Sequence, residues 1–114
     1  MPQVTLGACY NRPMIALTEH ERRLIIDIVK SRATDQPYRV LLFGSRAIGR
    51  AKKYSDVDLA FVGHRPVPLR IRAALAEAFD ESGLPYTVDV VDFHQASQAM
   101  QEQIQQQGVE VLGS

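Results

Sequence analysis

The segment GSRAIGRAKKYSDVDLAFV, Gly44 to Val62, constrains this chain more than any other stretch. It joins a glycine-serine turn to two carboxylates that lead into an apolar run, with ten residues between Ser45 and Asp56. A turn that opens a helix presents uncommitted backbone N–H groups, which receive anions. Asp56 and Asp58, at i and i+2 of a strand, point to the same face. At about 4 Å in an effective dielectric near 20, two such charges repel by roughly 4 kcal/mol, so a cation belongs between them. Mg²⁺ takes hard oxygen ligands and usually completes its shell with phosphate and water, which suits carboxylates set against a triphosphate. The expectation is a nucleoside triphosphate held with Mg²⁺.

Taken singly, both halves are ordinary. Gly-Ser is common in turns, and Asp-x-Asp after a serine is common in solvated loops and helix caps. The difference lies in Leu59, Ala60, Phe61 and Val62, which carry the two acids into a buried strand where an unpaired carboxylate is costly.

The remaining pattern alternates helices and strands. Thr18 with Glu21 forms a capping-box pair, and Leu17, Leu24, Ile25, Ile28 and Val29 recur at helical spacing, which predicts a helix to about Arg32. Tyr38 to Phe43 reads as a buried strand delivering Gly44, and Ser45 as the N-cap of a short helix to about Ile48. A strand from Val57 to Val62 ends at Gly63. Pro66 and Pro68 lead into a helix carrying Leu69, Ile71, Leu75, Ala78 and Phe79, which Gly83 and Pro85 stop. A strand Tyr86 to Val91, a helix from about Phe93 to Gln107 capped by Gly108, and a short edge strand Val109 to Leu112 complete the chain. Gln101 to Gln107 reads as a solvated helix face. The fold class is therefore α/β: one small domain, residues 17–112, with a mixed sheet and helices packed against it, preceded by a weakly patterned segment, residues 1–16.

The stretch Leu42 to Val62 resembles the signature of the minimal nucleotidyltransferases, the small branch of the DNA polymerase β-like superfamily: Gly-Ser, nine or ten residues, then Asp-x-Asp. The likeness extends over roughly residues 18 to 112. It implies the nucleotidyltransferase fold, with Asp56 and Asp58 as metal-binding catalytic acids, a third carboxylate on a later strand, and Gly44, Ser45 and Arg46 at the nucleotide. Two aspartates compete for the third position. Asp89 interrupts the apolar pair Val88 and Val90, where a charge needs a cation or donor, whereas Asp92 stands before a helix with Gln95 three residues on and reads as its cap. The resemblance also favours Asp89.

ATP and Mg²⁺ are the implied substrate and cofactor, and transfer of AMP to a hydroxyl is the implied reaction. Larger relatives carry an added helical region for the acceptor, so the resemblance implies that a second protein supplies it. Minimal members are paired with a small all-helical HEPN-type protein, and in the toxin-antitoxin branch the acceptor is a tyrosine of that partner. Two alternatives stand beside this: a catalytic subunit acting on a small hydroxylated molecule, and a nucleotide-binding antitoxin that acts by occlusion without chemistry. Arg50, Lys52 and Lys53 are candidate neutralisers of the triphosphate, each equally well read as a solubilising surface charge.

Composition limits the alternatives. With 114 residues, 46% hydrophobic content and a formal net charge of zero, the chain can bury one core and carries no global electrostatic footprint for DNA. Single Cys9 excludes an internal disulfide, and no apolar run reaches the length of a membrane span, so a cytoplasmic location is expected. Edge strands leave a homodimer open. His20, His64 and His94 have no metal-ligand spacing, and Cys9 has no evident base.

Overall fold

The computed structural model describes residues 17–49 and 56–113. Its elements are α1 (Glu19–Arg32), β1 (Arg39–Phe43), β2 (Val57–Val62), α2 (Leu69–Asp80), β3 (Val88–Asp92), a 3-10 turn (Phe93–Gln95), α3 (Gln98–Gln107) and β4 (Val109–Leu112). Cys9, Arg50, Lys52 and Lys53 lie outside the described residues.

The α1 capping box forms as the sequence predicts. Thr18 Oγ1 accepts from the Glu21 N–H and Glu21 Oε1 from the Thr18 N–H, both at 3.0 Å. Glu19 and Glu21 in the first turn and Lys30 and Arg32 in the last also complement the helix dipole. The four strands run in the order β3-β2-β1-β4. β1 is antiparallel to β2 and to β4, while β2 and β3 are parallel, joined through α2 as a βαβ unit.

Strand alternation divides the side chains between two layers. Val40, Leu42, Val57, Leu59 and Phe61 face α1 and α2, where they pack with Ile25, Val29, Ile71, Leu75 and Phe79. Phe43 and Ala60 face the other way and pack with Ile104 of α3. Leu69, expected on the apolar face of α2, is exposed because the helix starts there, ahead of its contact with the sheet. Each outer strand has one carbonyl covered by a helix arginine: Arg22 Nη2 donates to Val111 O and Arg72 Nη2 to Val90 O, both at 3.3 Å. Such covers blunt an edge against further strand pairing. No helix among the described residues is long and apolar enough to cross a membrane.

The last helix differs from expectation. Phe93 to Gln107 is broken at Ala96 and Ser97, leaving a 3-10 turn capped by Asp92 and a separate α3 capped by Ser97, whose hydroxyl accepts from the Met100 N–H at 3.2 Å. A serine at an N-cap satisfies orphan N–H groups that an interior serine would not, which favours a new start at this point.

Candidate active site

Gly44 ends β1 with φ +81°, a left-handed conformation that side-chain-bearing residues rarely adopt. The register pairs the preceding Phe43 with Asp58, which brings the Asp58 carboxylate over Gly44. A Cβ on Gly44 would collide with Asp58 Oδ2 and displace that carboxylate, so a side chain here meets a torsional cost and also disturbs the acid. Beyond it, residues 45–49 form consecutive turns held by the Ala47 N–H donating to Gly44 O at 3.0 Å, in place of the expected short helix. Gly49, four residues beyond the turn's start, is also at positive φ (+73°), a left-handed conformation that does not continue a right-handed helix.

Asp58 and Asp89 are Cα partners across the parallel β2–β3 ladder. Alternation puts both on the α3 side of the sheet, with Ala60 and Val91, and the same period turns Asp56 toward that side just ahead of β2. Half-buried Asp58 is pushed up to about 6, first by burial, then by the Asp89 and Asp56 charges and a hydrogen bond with Asp89. Asp56 and Asp89 are exposed. The structure therefore joins Gly44, Asp58 and Asp89 in direct proximity and holds Asp56 close enough to act on Asp58 electrostatically. Among the described residues no three acidic, histidine or cysteine side chains close into a complete metal-ligand set. The donors nevertheless fit Mg²⁺: they are all carboxylate oxygens on an open face, mutually repulsive, and one of them is driven toward protonation in the cation's place.

Asp92 belongs to the opposite layer. Only 2% exposed, it spends Oδ2 on the Val67 N–H at 3.0 Å and Oδ1 on the His94 N–H at 3.1 Å. It caps the 3-10 turn and ties the β2–α2 connection to the end of β3, as the sequence distinction between Asp89 and Asp92 anticipates. His94 Nε2 lies 2.6 Å from Gly63 O, a local backbone contact.

Ser45 is half-buried beside Gly44, whereas Arg46 is only 6% exposed. Its guanidinium carbon stacks 4.2 Å from the Tyr86 ring centroid, an arrangement that anchors the turn to the segment entering β3. Tyr86 is itself held protonated, its pKa raised by burial and by the neighbouring Glu21 carboxylate. One residue of the site escaped sequence reasoning. Gln107, taken as part of a solvated face, accepts the Gly44 N–H on Oε1 at 3.2 Å. The available signal was its place immediately before a glycine cap and a strand able to pair with β1.

Residues 24–114 match the polymerase beta, nucleotidyltransferase family. The chain belongs to this family. Within it, the chain is 48% identical over 65 residues to the probable protein adenylyltransferase MntA of Haemophilus influenzae, an alignment covering 57% of this chain and 57% of that protein. The chain thus aligns with little more than half the length of that relative. Among solved structures, a toxin-antitoxin with AMP-PNP is similar at a TM-score of 0.70 and 28% identity, covering 82% of this chain and 73% of the other. A chain of a complex between a tri-AMPylated HEPN toxin and MNT antitoxin from Shewanella oneidensis matches at a TM-score of 0.63 and 26% identity, covering 82% and 70%. The fold class of this nucleotidyltransferase domain is thereby the one its sequence implied, a mixed sheet with helices packed against it, realised among the described residues as four strands and three α-helices.

Proposed function

We propose that this domain transfers AMP from ATP, with Mg²⁺, to a tyrosine hydroxyl of a HEPN-type partner protein. The observation that carries the reading is the Asp58–Asp89 pair set across the ladder beside the left-handed Gly44 turn, with Asp56 two residues before Asp58. Similarity to a protein named as an adenylyltransferase, and to complexes described with AMP-PNP and with an AMPylated toxin, supports the nucleotide and the acceptor class.

Asp56, Asp58 and Asp89 would hold Mg²⁺, which supplies charge neutralisation at the phosphates and at the entering and leaving oxygens. The backbone N–H groups around Ser45, beyond the Gly44 N–H that Gln107 already holds, orient the β- and γ-phosphates together with the Ser45 hydroxyl. The acceptor oxygen attacks the α-phosphorus in line, a P–O bond forms, and the bond to the bridging oxygen of the β-phosphate breaks, releasing pyrophosphate with the electron pair. Asp89, exposed at the open face, receives the acceptor proton. Arg46 contributes by fixing the turn against Tyr86.

Incubation with α-labelled ATP, Mg²⁺ and a HEPN-type protein tests this directly. The expected result is label on the partner with stoichiometric pyrophosphate, abolished by Asp56→Asn and Asp58→Asn. Label only on a small hydroxylated molecule would instead assign a small acceptor. Inhibition of the partner without any transfer would assign occlusion.

A further inference from the structure

The β1–β4 ladder pairs Leu41 with Glu110 and Leu42 with Val109. Continued two residues in the same antiparallel register, it sets Gln107 opposite Gly44. Strand pairing stops short of that point, because Gln107 is the last residue of α3 and Gly108 closes the helix by donating its N–H to Ile104 O at 2.8 Å. A side chain takes over the missing acceptor: Gln107 Oε1 receives the Gly44 N–H at 3.2 Å and also the Gln103 Nε2 at 3.3 Å, one helical turn earlier. Both neighbours are donors, so the carboxamide oxygen, and not its nitrogen, faces them. Packing does not call for this contact, since Ile104 and Met100 already seat α3 on the sheet.

We propose that Gln107 is a positioning residue of the nucleotide site, clamping the Gly44 N–H so that the Gly44–Ser45 turn is set for the β- and γ-phosphates of a nucleoside triphosphate. The inference rests on the reading of the site as a nucleotidyltransferase centre. Its physical basis is that Gly44 carries the turn at a positive φ beside the Asp58 carboxylate, and the Gln107 Oε1 acceptor holds the one backbone N–H at the base of that turn. A clamp of this kind acts on the bound nucleotide in ground and transition states alike, so its loss raises KM for ATP and leaves kcat nearly unchanged.

The test compares Gln107→Met, which keeps size and removes the acceptor, with Gln107→Glu, which keeps an acceptor oxygen, and with the exposed control Gln105→Met. Hydrogen exchange of the Gly44 amide, followed by NMR on the protein without nucleotide, is expected to quicken about tenfold in Gln107→Met, the factor an ordinary net hydrogen bond carries. Gln107→Glu and Gln105→Met are expected to retain slow exchange. In the transfer assay Gln107→Met is expected to raise KM for ATP about tenfold with kcat within twofold of the unsubstituted protein. Unchanged Gly44 exchange in Gln107→Met, or an equal fall in kcat with unchanged KM, overturns the clamp. Absence of transfer by the unsubstituted protein overturns the functional reading alone, because the exchange experiment still decides whether the contact exists.

Discussion

Gly44 lies directly beneath the Asp58 carboxylate, so closely that the chain leaves no space for a methyl group between them. The glycine turn and the Asp58 carboxylate are therefore neighbours in one site. Gly44→Ala meets both a positive-φ penalty and a collision with Asp58 Oδ2, and is expected to cost about 2 kcal/mol of stability. Chemical denaturation measures the loss, and nucleotide binding is expected to fall with it even where the variant remains folded.

The acidic pair makes stability depend on pH. Asp58 is raised from 3.8 to about 6 in the fold, so its own contribution to the stability of the metal-free protein is greatest below pH 4 and is lost as pH climbs from 4 through 6. Thermal melts in chelator between pH 4 and 7 should show this decline. Asp58→Asn removes the strain and is expected to stabilise the metal-free protein above pH 6 by about 1 kcal/mol, a figure discounted for solvent around this half-buried group. A flat profile for the unsubstituted protein would contradict the assignment.

Asp89 and Asp92 separate chemistry from structure. Asp89→Asn removes a charge from an exposed position and is expected to abolish transfer with stability within about 0.5 kcal/mol. Asp92→Ala strands the buried N–H of Val67 and uncaps the 3-10 turn, and is expected to destabilise by about 2–3 kcal/mol. Denaturant titration paired with the transfer assay distinguishes the two patterns.

How much of this was legible depended on where local signals matched tertiary demands. The capping box of Thr18 and Glu21, the apolar spacing of Ile25 and Val29, and the run Leu59 to Val62 gave α1 and β2 to within a residue, because burial reinforces each pattern. The capping role of Asp92 was also readable from its place ahead of a helical pattern, and the structure has it capping the 3-10 turn. Strand order and the parallel pairing of β2 with β3 arise from contacts distant in sequence, whereas the break before Ser97 follows from a local N-cap that the helical spacing of apolar residues masked. The stack of Arg46 on Tyr86 was not legible because the two lie forty residues apart in sequence. Gln107 looked solvated because its contact exists only once β4 pairs with β1.

The Arg46 stack yields its own prediction. Tyr86→Phe keeps the ring beneath the guanidinium and is expected to change stability by less than about 0.5 kcal/mol, whereas Tyr86→Leu removes the aromatic face and is expected to cost about 1–2 kcal/mol. Denaturation curves of the two variants provide the comparison, with transfer falling only in the second.

Divalent-ion binding to the nucleotide-loaded protein tests the central claim most directly, with Mn²⁺ as the paramagnetic probe in place of Mg²⁺. The unsubstituted protein should bind the ion in the presence of a non-hydrolysable ATP analogue, and Asp58→Asn and Asp89→Asn should each weaken that binding at least tenfold while Asp92→Asn does not. Undiminished Mn²⁺ binding in both Asp58→Asn and Asp89→Asn would contradict the account.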